Sequence, residues 1–434
     1  ANYSPEEMAI YNEEWHKVGD VREWEKLGYG VRVYRTIKAR ELWNLINICA
    51  TYAAEPGIFF IDNANEMTNA KAYGQQVVAT NPCGEQPLAP YSVCNLAAVN
   101  LAQFAIKDSK TVDYDALRET VKVGVRMQDN VIDATPYFLE ENKTQALGER
   151  RVGLGVMGLA DLLIYCEKEY GSEEGNELVD EIFKTIAIAA YEASIELGQE
   201  RGSFPFLQGE TAAETARLRE AFVNTGFMRK MPQHVRDGVS EYGIRNSHLL
   251  TVAPTGSTGT MVGVATGLEP YFSFTYYRSG RLGKFIEVKA EIVQEYLTAN
   301  PHADEHNLPH WFVSSMQLTP EAHADVQCII QNWIDSSISK TVNAPKGYTV
   351  EQVEQVYERL YHGGAKGGTV YVDGSRDTQV LTLKAEESTA DEQLEFEELK
   401  QQEEEVKRAV VLVDTIAPLT QTDVTIGSEV GNTC

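Results

Sequence analysis

Short apolar runs alternate with longer segments of helical periodicity along most of this chain. The helical segments place apolar residues every three or four positions, as a helix with one buried face requires. They cover 38–54, 114–133, 158–168, 175–200, 211–223, 284–299, 320–338 and 350–362. The apolar runs suit strands buried on both faces; they are 57-GIFFID-62, 76-QVVAT-80, 151-RVGLGV-156, 249-LLTVA-253, 312-FVSSM-316 and 369-TVYVD-373. This alternation predicts an α/β fold built on a mostly parallel sheet.

Two of the helices carry clear start signals. Thr319 followed by Pro320 is typical of an N-cap and first helical residue. Thr349 with Gln352 matches a capping box, and Gly363 is a suitable stop for the same helix. We therefore expect helices to begin at these two positions.

Composition limits the classes of function. The 434 residues are 43% hydrophobic and 24% charged, as in globular proteins in water. The net charge of −26 argues against a general nucleic-acid or anionic-membrane binder. No apolar run approaches the ~18 residues of a membrane helix, and the acidic, aromatic beginning of the chain is unlike a secretion signal. We expect a cytoplasmic protein.

Six cysteines are spread widely and match no secreted disulfide framework, which favours a reducing compartment. They are Cys49, Cys83, Cys94, Cys166, Cys328 and Cys434. Cys49, Cys166 and Cys328 lie within apolar helical stripes and are expected in the core. Cys83 and Cys94 instead lie in a segment rich in proline and glycine.

That segment, 80-TNPCGEQPLAPYSVC-94, predicts a tight loop around a thiol. Pro82 fixes its own φ and restricts Asn81, while Gly84 permits a backbone conformation that other residues avoid. Asn81 and Glu85 straddle Cys83, so the loop can present an amide, a thiol and a carboxylate to one small ligand. The alternative is that Cys83 is a small buried hydrophobe in a turn, which does not account for the two polar neighbours.

Two glycine-rich segments follow apolar strands. The loop 253-APTGSTGTMVG-263 can direct backbone N–H groups and hydroxyls at a phosphate, or it is an ordinary strand–turn connection. Gly153, Gly155 and Gly158 match G-x-G-x-x-G, but no acidic partner strand follows as a dinucleotide site requires. Close packing of a strand against a helix is the better interpretation of these three glycines.

Three histidines four residues apart raise the question of a metal site. His302, His306 and His310 could share one face of a helix. Pro301 and Pro309 bracket the segment and argue against a regular helix. We therefore expect a solvated loop and no metal.

Taken together, several segments resemble the adenosylcobalamin-dependent class II ribonucleotide reductases. They are 81-NPCGEQPLAPYSVCNLAAVNL-101, 151-RVGLGVMGLADLL-163, 253-APTGS-257 with 267-GLEPYF-272, and 367-GGTVYVDGSR-376. The resemblance extends from about residue 35 to 380. It implies an α/β fold equal to the second half of a ten-stranded barrel, with a central finger loop carrying a radical cysteine.

The resemblance also implies roles for the loop residues. Cys83 would become a thiyl radical and abstract the 3′ hydrogen of the ribose, and Glu85 would act as general base on the 3′-OH. Asn81 would hold the sugar hydroxyls, and Cys94 would be half of a dithiol that ends as a disulfide. The substrate-binding set would be Asn81, Pro82, Cys83, Gly84 and Glu85 with Pro254, Thr255, Gly256, Ser257 and Thr258.

Within the family, the residues favour class II with adenosylcobalamin as the radical source. Class I enzymes use an adjacent tyrosine pair where this chain has Tyr371 followed by Val372. The glycyl-radical motif of class III does not occur in the sequence. The run Gln86-Pro87-Leu88 resembles the diphosphate-reducing, usually dimeric branch, so the resemblance implies a ribonucleoside diphosphate substrate and a thioredoxin-type reductant.

The chain departs from the family pattern in extent. We find no upstream half and no partner cysteine for Cys94, and Cys434 resembles the first cysteine of a C-x-x-C pair.

We expect four segments: an N-terminal segment 1–34, a catalytic half-barrel 35–380, an acidic linker or helix 381–410 and a tail 411–434. We also expect a separate N-terminal half as partner chain. The alternatives are a non-catalytic fragment or assembly subunit, and a class I chain that uses a small radical-generating subunit.

Overall fold

The computed structural model describes residues 4–33, 35–280, 283–375 and 381–382. The expected acidic linker, the tail and Cys434 lie outside these described residues. The α-helices are α1 Pro5–Val18, α2 Val21–Lys26, α3 Ala39–Ala53, α4 Ile61–Met67, α5 Tyr114–Ala134, α6 Glu140–Glu149, α7 Leu159–Tyr165, α8 Glu173–Arg201, α9 Ala212–Val223, α10 Gln233–Tyr242, α11 Gly256–Met261, α12 Glu291–Ala299, α13 Pro320–Gln331 and α14 Val350–His362.

The strands are short. They are β1 Ile58–Phe59, β2 Ala79–Thr80, β3 Pro87–Leu88, β4 Leu96–Asn100, β5 Ala105–Ile106, β6 Thr111–Val112, β7 Gly153–Met157, β8 Thr275–Gly280, β9 Gly283–Lys289, β10 Thr341–Ala344, β11 Gly367–Val372 and β12 Leu381–Thr382. Four 3-10 helices lie among the described residues, at Asn69–Tyr73, Leu101–Phe104, Pro205–Leu207 and Met228–Lys230.

Five segments run parallel to one another. β4 pairs with β7, from Leu96 opposite Gly153 to Asn100 opposite Met157. Single parallel bridges then join Leu154 to Leu250 and Val252 to Ile338. β10 pairs in parallel with β11, which pairs on its other edge with β1. The order is therefore β4, β7, 249–253, 336–344 and β11, which confirms the α/β prediction, although the described strands do not close into a barrel.

Helices cover the outer face of this parallel set. The largest core cluster joins β7 and the 249–252 segment to α5 and α8, and a second cluster joins β10 and β11 to α14. All five residues of β7 are buried. A strand buried on both faces reads as a continuous apolar run, which is why 151–156 was recognisable in the sequence.

Most predicted helices are confirmed, and three segments need correction. The segment 284–299 is helical only from Glu291, because Gly283–Lys289 pairs with β8 as a strand. The helix predicted for 320–338 ends at Gln331, and the following residues join the parallel set. The strand predicted for 312–316 is wrong, since a single bridge from Ser314 to Tyr271 is what forms there.

Backbone geometry supports the packing interpretation of the three glycines, and it places the three histidines outside the helices. A Cβ on Gly155 would lie 2.6 Å from the carbonyl oxygen of Thr251, so these glycines serve close packing. His302, His306 and His310 lie in the turns between α12 and α13. Within the described ranges, no group of three or more His, Cys, Asp or Glu side chains is arranged to hold a metal ion. None of the described helices combines the length and apolarity needed to cross a bilayer.

Candidate active site

The Cys83 loop is the turn of a two-stranded hairpin. β2 and β3 pair antiparallel, with Thr80 opposite Pro87. The Gly84 N–H donates to the carbonyl of Asn81 at 3.0 Å, and Gly84 has a φ of +79°, which glycine adopts without strain. The Asn81 side-chain oxygen accepts from the N–H of Gln86 at 3.0 Å. Asn81 therefore shapes the turn itself and leaves its amide nitrogen for other contacts.

This hairpin is anchored across the parallel strands. The carbonyl of Glu85 accepts from the N–H of Ser337 at 2.9 Å and from the hydroxyl of Thr251 at 2.8 Å. Gln86 is fully buried against β7, where a Cβ on Gly153 would lie 2.5 Å from its amide nitrogen. The loop is thus held by strands that are distant in sequence, and its position depends on a glycine in β7.

Cys83 and Glu85 differ in their exposure to solvent. Cys83 is exposed and borders a cavity of ≈ 430 Å³, whose wall includes Gly57, Ser339 and Gly368. Glu85 is 2% exposed, and its Oε2 has no hydrogen-bond partner among the described residues. Partial burial, and then the carboxylate of Glu85, raise the pKa of the Cys83 thiol.

Cys94 lies just before β4 and shares Glu85 as a neighbour. Burial raises the pKa of the Cys94 thiol, the charges of Glu85 and Glu149 raise that pKa further, and Arg151 lowers it. The Glu85 carboxylate therefore raises the pKa of both the Cys83 and the Cys94 thiols. The raised pKa values keep both sulfurs protonated at neutral pH.

The second predicted loop begins where the Thr251 strand ends. Thr255 has a φ of +48° and its hydroxyl accepts from the N–H of Gly267 at 2.7 Å, which fixes the start of α11. Gly256, Ser257 and Thr258 are exposed, and the first N–H groups of a helix have no intrahelical acceptor. Thr251, which contacts Glu85, precedes Pro254 by three residues, so the loop begins roughly 10 Å further along the strand.

A sequence comparison identifies the family to which this architecture belongs. The family described as "Ribonucleotide reductase, barrel domain" matches residues 4–371. The chain belongs to the ribonucleotide reductase family.

Individual reductases are similar over most of this chain. The vitamin B12-dependent ribonucleoside-diphosphate reductase of Thermoplasma acidophilum is 32% identical over 386 residues, which are 85% of this chain and 47% of that protein. The enzyme of the same name from Mycobacterium tuberculosis is 33% identical over 372 residues, 82% of this chain and 49% of that protein. The ribonucleoside-diphosphate reductase large chain of Cryptosporidium parvum is 34% identical over 280 residues, 63% of this chain and 34% of that protein. The chain spans about half the length of the B12-dependent reductases it matches.

Two groups in this ribonucleotide reductase barrel domain were missed by the sequence reasoning. Glu149 and Arg151, both buried, lie beside Cys94 in a cavity of ≈ 90 Å³. Their signal was a run of three charged residues, 149-ERR-151, directly before an apolar strand.

The second missed group is a buried network beside the Cys83 cavity. The Lys340 ammonium donates to Glu269 at 2.5 Å and to Nδ1 of His323 at 3.1 Å. His323 Nε2 donates to the carbonyl of Ser315 at 2.9 Å, and burial together with the Lys340 charge lowers the pKa of His323 to about 3. Its signal was Glu269 within the 267-GLEPYF-272 motif, a polar group inside an apolar run.

Proposed function

We propose that this chain is the C-terminal half of the catalytic barrel of a class II ribonucleotide reductase. It would reduce ribonucleoside diphosphates to 2′-deoxyribonucleotides, the precursors of DNA. The observation that carries this proposal is the hairpin turn, which places Cys83 at a cavity and buries Glu85 with its Oε2 unpartnered among the described residues. The Glu85 carboxylate also raises the pKa of both the Cys83 and the Cys94 thiols. An exposed, N–H-rich loop begins roughly 10 Å along the same strand, a spacing that suits a sugar at Cys83 and phosphates at Pro254–Thr258.

Each residue has a defined task in the proposed reaction. Cys83, as a thiyl radical, takes the 3′ hydrogen of the ribose, and the free Oε2 of Glu85 accepts the 3′-OH proton. The radical at C3′ lets the 2′ hydroxyl leave as water. Cys94 and a second cysteine supply two electrons and two hydrogens and become a disulfide. Cys83 then recovers its hydrogen, so the balance is ribonucleotide plus two thiols to deoxyribonucleotide, disulfide and water.

The fixed turn explains why this chemistry can be selective. A sulfur radical has to meet one C–H bond and no other, which requires precise positioning of the thiol. The hairpin, the Asn81–Gln86 hydrogen bond and the anchoring of Glu85 to two strands together supply that positioning. Asn81 keeps its amide nitrogen available to donate to the sugar hydroxyls.

The residues around Cys83 fit the adenosyl part of adenosylcobalamin. The wall of the ≈ 430 Å³ cavity includes four glycines, Gly57, Gly84, Gly367 and Gly368, so a nucleoside-sized group can approach the sulfur. When bound, the cofactor supplies the radical that oxidises Cys83. Tyr371 is followed by Val372 in β11, which does not provide the adjacent tyrosine pair of class I enzymes.

The complete enzyme requires further parts in this proposal. The second half of the ten-stranded barrel, with the Cys83 hairpin as its finger loop, would pair with an N-terminal half on a separate chain. That half would supply the cysteine that pairs with Cys94. A thioredoxin-type reductant would regenerate the dithiol, and the assembly would be a dimer or higher oligomer. β4 supports this arrangement, because among the described strands it pairs on one edge with β7 and carries no partner on the other.

Formation of deoxycytidine diphosphate tests the proposal. The chain is incubated with adenosylcobalamin, cytidine diphosphate and dithiothreitol, with and without the N-terminal half of a related B12-dependent reductase. We expect product when both chains and the cofactor are present. Cys83→Ser should reduce turnover by at least ~10³-fold, because an alcohol cannot form the radical at that position.

Controls separate the alternatives. Cys49→Ser, in α3 and half-buried, should retain activity and the fold. Product that requires a small radical-generating subunit instead of the cofactor would favour a class I chain. Turnover by Cys83→Ser, or no product with any partner, would contradict the proposal and favour the non-catalytic alternative.

A further inference from the structure

Cys94 lines a small cavity that it shares with a buried acid. The cavity has a volume of ≈ 90 Å³, and its wall includes Cys94, Tyr137, Glu149 and Arg151. That volume is enough for at least one water molecule. The two functional side chains come from separate elements, since Cys94 precedes β4 and Glu149 is the last residue of α6. The fold therefore brings the end of a helix to the cavity that Cys94 lines.

Glu149 is incompletely satisfied by the protein around it. The residue is fully buried, and its Oε2 is shared between Nε of Arg151 at 3.4 Å and the hydroxyl of Tyr73 at 3.4 Å. Its other oxygen, Oε1, has no hydrogen-bond partner in the part of the chain that the structure describes. An unpaired buried carboxylate oxygen costs about 1–3 kcal/mol or more, so a partner in the adjoining cavity is expected.

A purely structural ion pair explains these contacts less well. Arg151 also donates to the carbonyl of Pro87 at 3.2 Å and approaches the Ser336 hydroxyl at 3.5 Å. Its guanidinium is therefore directed at the Cys83 hairpin and the strand beneath it as well as at Glu149. Glu149 also lines the cavity that contains Cys94, and its Oε1 has no partner among the described residues. The negative charge of Glu149 raises the pKa of the Cys94 thiol.

We propose that Glu149 is the acid–base partner of Cys94, which keeps the sulfur as a thiol and exchanges its proton across the small cavity through a bridging water. The transfer moves one proton from sulfur to Oε1 and leaves a thiolate and a carboxylic acid; the reverse transfer restores the thiol. The place of this exchange in catalysis rests on the proposed reductase function. The exchange itself is a property of this chain and does not depend on turnover.

Alkylation of the two exposed cysteines tests the proposal. The rates at Cys94 and Cys83 are measured separately by mass spectrometry with iodoacetamide, from about pH 6 to about pH 10. The thiolate displaces iodide, so the rate follows the thiolate fraction. With Glu149→Gln we expect the Cys94 profile to move to lower pH by about one unit, which is roughly a tenfold faster reaction near pH 7.5. The profile of Cys83 should not move.

Matched variants decide between a specific and a general effect. Glu85→Gln should shift both profiles, since Glu85 raises the pKa of both thiols. Glu140→Gln, at the exposed start of the same helix α6, should shift neither. If Glu149→Gln does not fold, Glu149→Asp withdraws the carboxylate by one methylene and should shift the Cys94 profile in the same direction by a smaller amount.

Two results would overturn the assignment of Glu149. One is a Cys94 profile that is unchanged in the folded variant, and the other is an equal shift at Cys83 and Cys94. Neither result depends on deoxynucleotide formation, so a failure of the proposed reductase activity would be seen in the product assay alone and would leave this measurement intact.

Discussion

Two buried histidines are held neutral inside this domain. Burial and the Lys340 charge lower the pKa of His323 to about 3. Burial, with Arg151 and Lys366 nearby, lowers the pKa of His248 well below its ordinary value. In the unfolded chain each histidine takes up a proton below about pH 6.5, whereas the folded protein does not until far lower pH. Acid therefore favours the unfolded state.

This difference predicts a pH dependence of stability. As the pH falls from about 6.5 toward about 5, each buried histidine should reduce the free energy of unfolding by roughly 1.4 kcal/mol per pH unit. Glutamine at position 323 can keep both hydrogen bonds of His323, to Ser315 and Lys340, without titrating. His323→Gln should therefore remove about one histidine's share of the slope, measured by urea unfolding at pH 6.5 and pH 5.

An exposed histidine provides the control. His302→Gln, in the turn after α12, should leave the slope unchanged. A slope equal to that of the natural sequence in His323→Gln would show that His323 is protonated in the folded protein.

At the scale of single residues, the sequence revealed which side chains form the candidate site, but not what surrounds each of them in the fold. The spacing of Asn81, Cys83, Glu85 and Cys94 is local, so a motif can reveal it. The backbone carbonyl of Glu85 is held by Thr251 and Ser337, which are more than 160 residues away along the chain. The proposed role of Glu149 depends on the cavity that it shares with Cys94. Such neighbours follow from the tertiary fold and leave little local pattern.

At the scale of elements, helix α14 shows what local sequence can define. The Thr349 side chain accepts from the N–H of Gln352, and the Gln352 side chain accepts from the N–H of Thr349, which confirms the predicted capping box. The helix then buries Val353, Val356 and Leu360 against β10 and β11. Both the start of α14 and its apolar face are determined by residues close together in the sequence, so local patterns are enough to predict them.

Removal of this cap should destabilise the domain. Thr349→Ala leaves the N–H of Gln352 without its acceptor and should lower the free energy of unfolding by about 1 kcal/mol. Chemical denaturation of the folded chain measures the difference. Thr349→Ser keeps the hydroxyl and should lie within a few tenths of a kcal/mol of the natural sequence. Equal losses in both variants would show that the Thr349 methyl group, not the cap, carries the effect.

The wrong element predictions have a common physical cause. β9 is a strand because it pairs with β8, and its apolar residues merge in sequence with those of α12, which gave one long helical pattern. The segment 336–344 joins the parallel set through a bridge to Val252. Pairing with another strand overrides local preference in strands more than in helices. Helices with their own caps were accordingly predicted more accurately than short strands.

At the scale of the whole molecule, one side of the domain exposes large apolar side chains to solvent. On α5, Val123, Met127 and Val131 are 67%, 52% and 43% exposed, and they lie four residues apart on one helix face. Phe138, just after this helix, is 98% exposed. A contiguous apolar face of this kind is typical of an interface. Since the chain accounts for 47% and 49% of two B12-dependent relatives, we infer that the other half of such a protein covers this side.

Hydrogen–deuterium exchange tests this inference at the edge strand. In β4, Leu96–Asn100, the N–H groups that do not face β7 have no strand partner among the described residues. Exchange at these groups should be fast in the chain alone and at least ~10-fold slower once an N-terminal half is bound, because a new strand would pair there. The interior strand β7, paired on both edges, is the internal control and should remain equally protected. If the N-terminal half restores deoxynucleotide formation while exchange in β4 is unchanged, the two halves would have to join through the helical face and not through a continuous sheet.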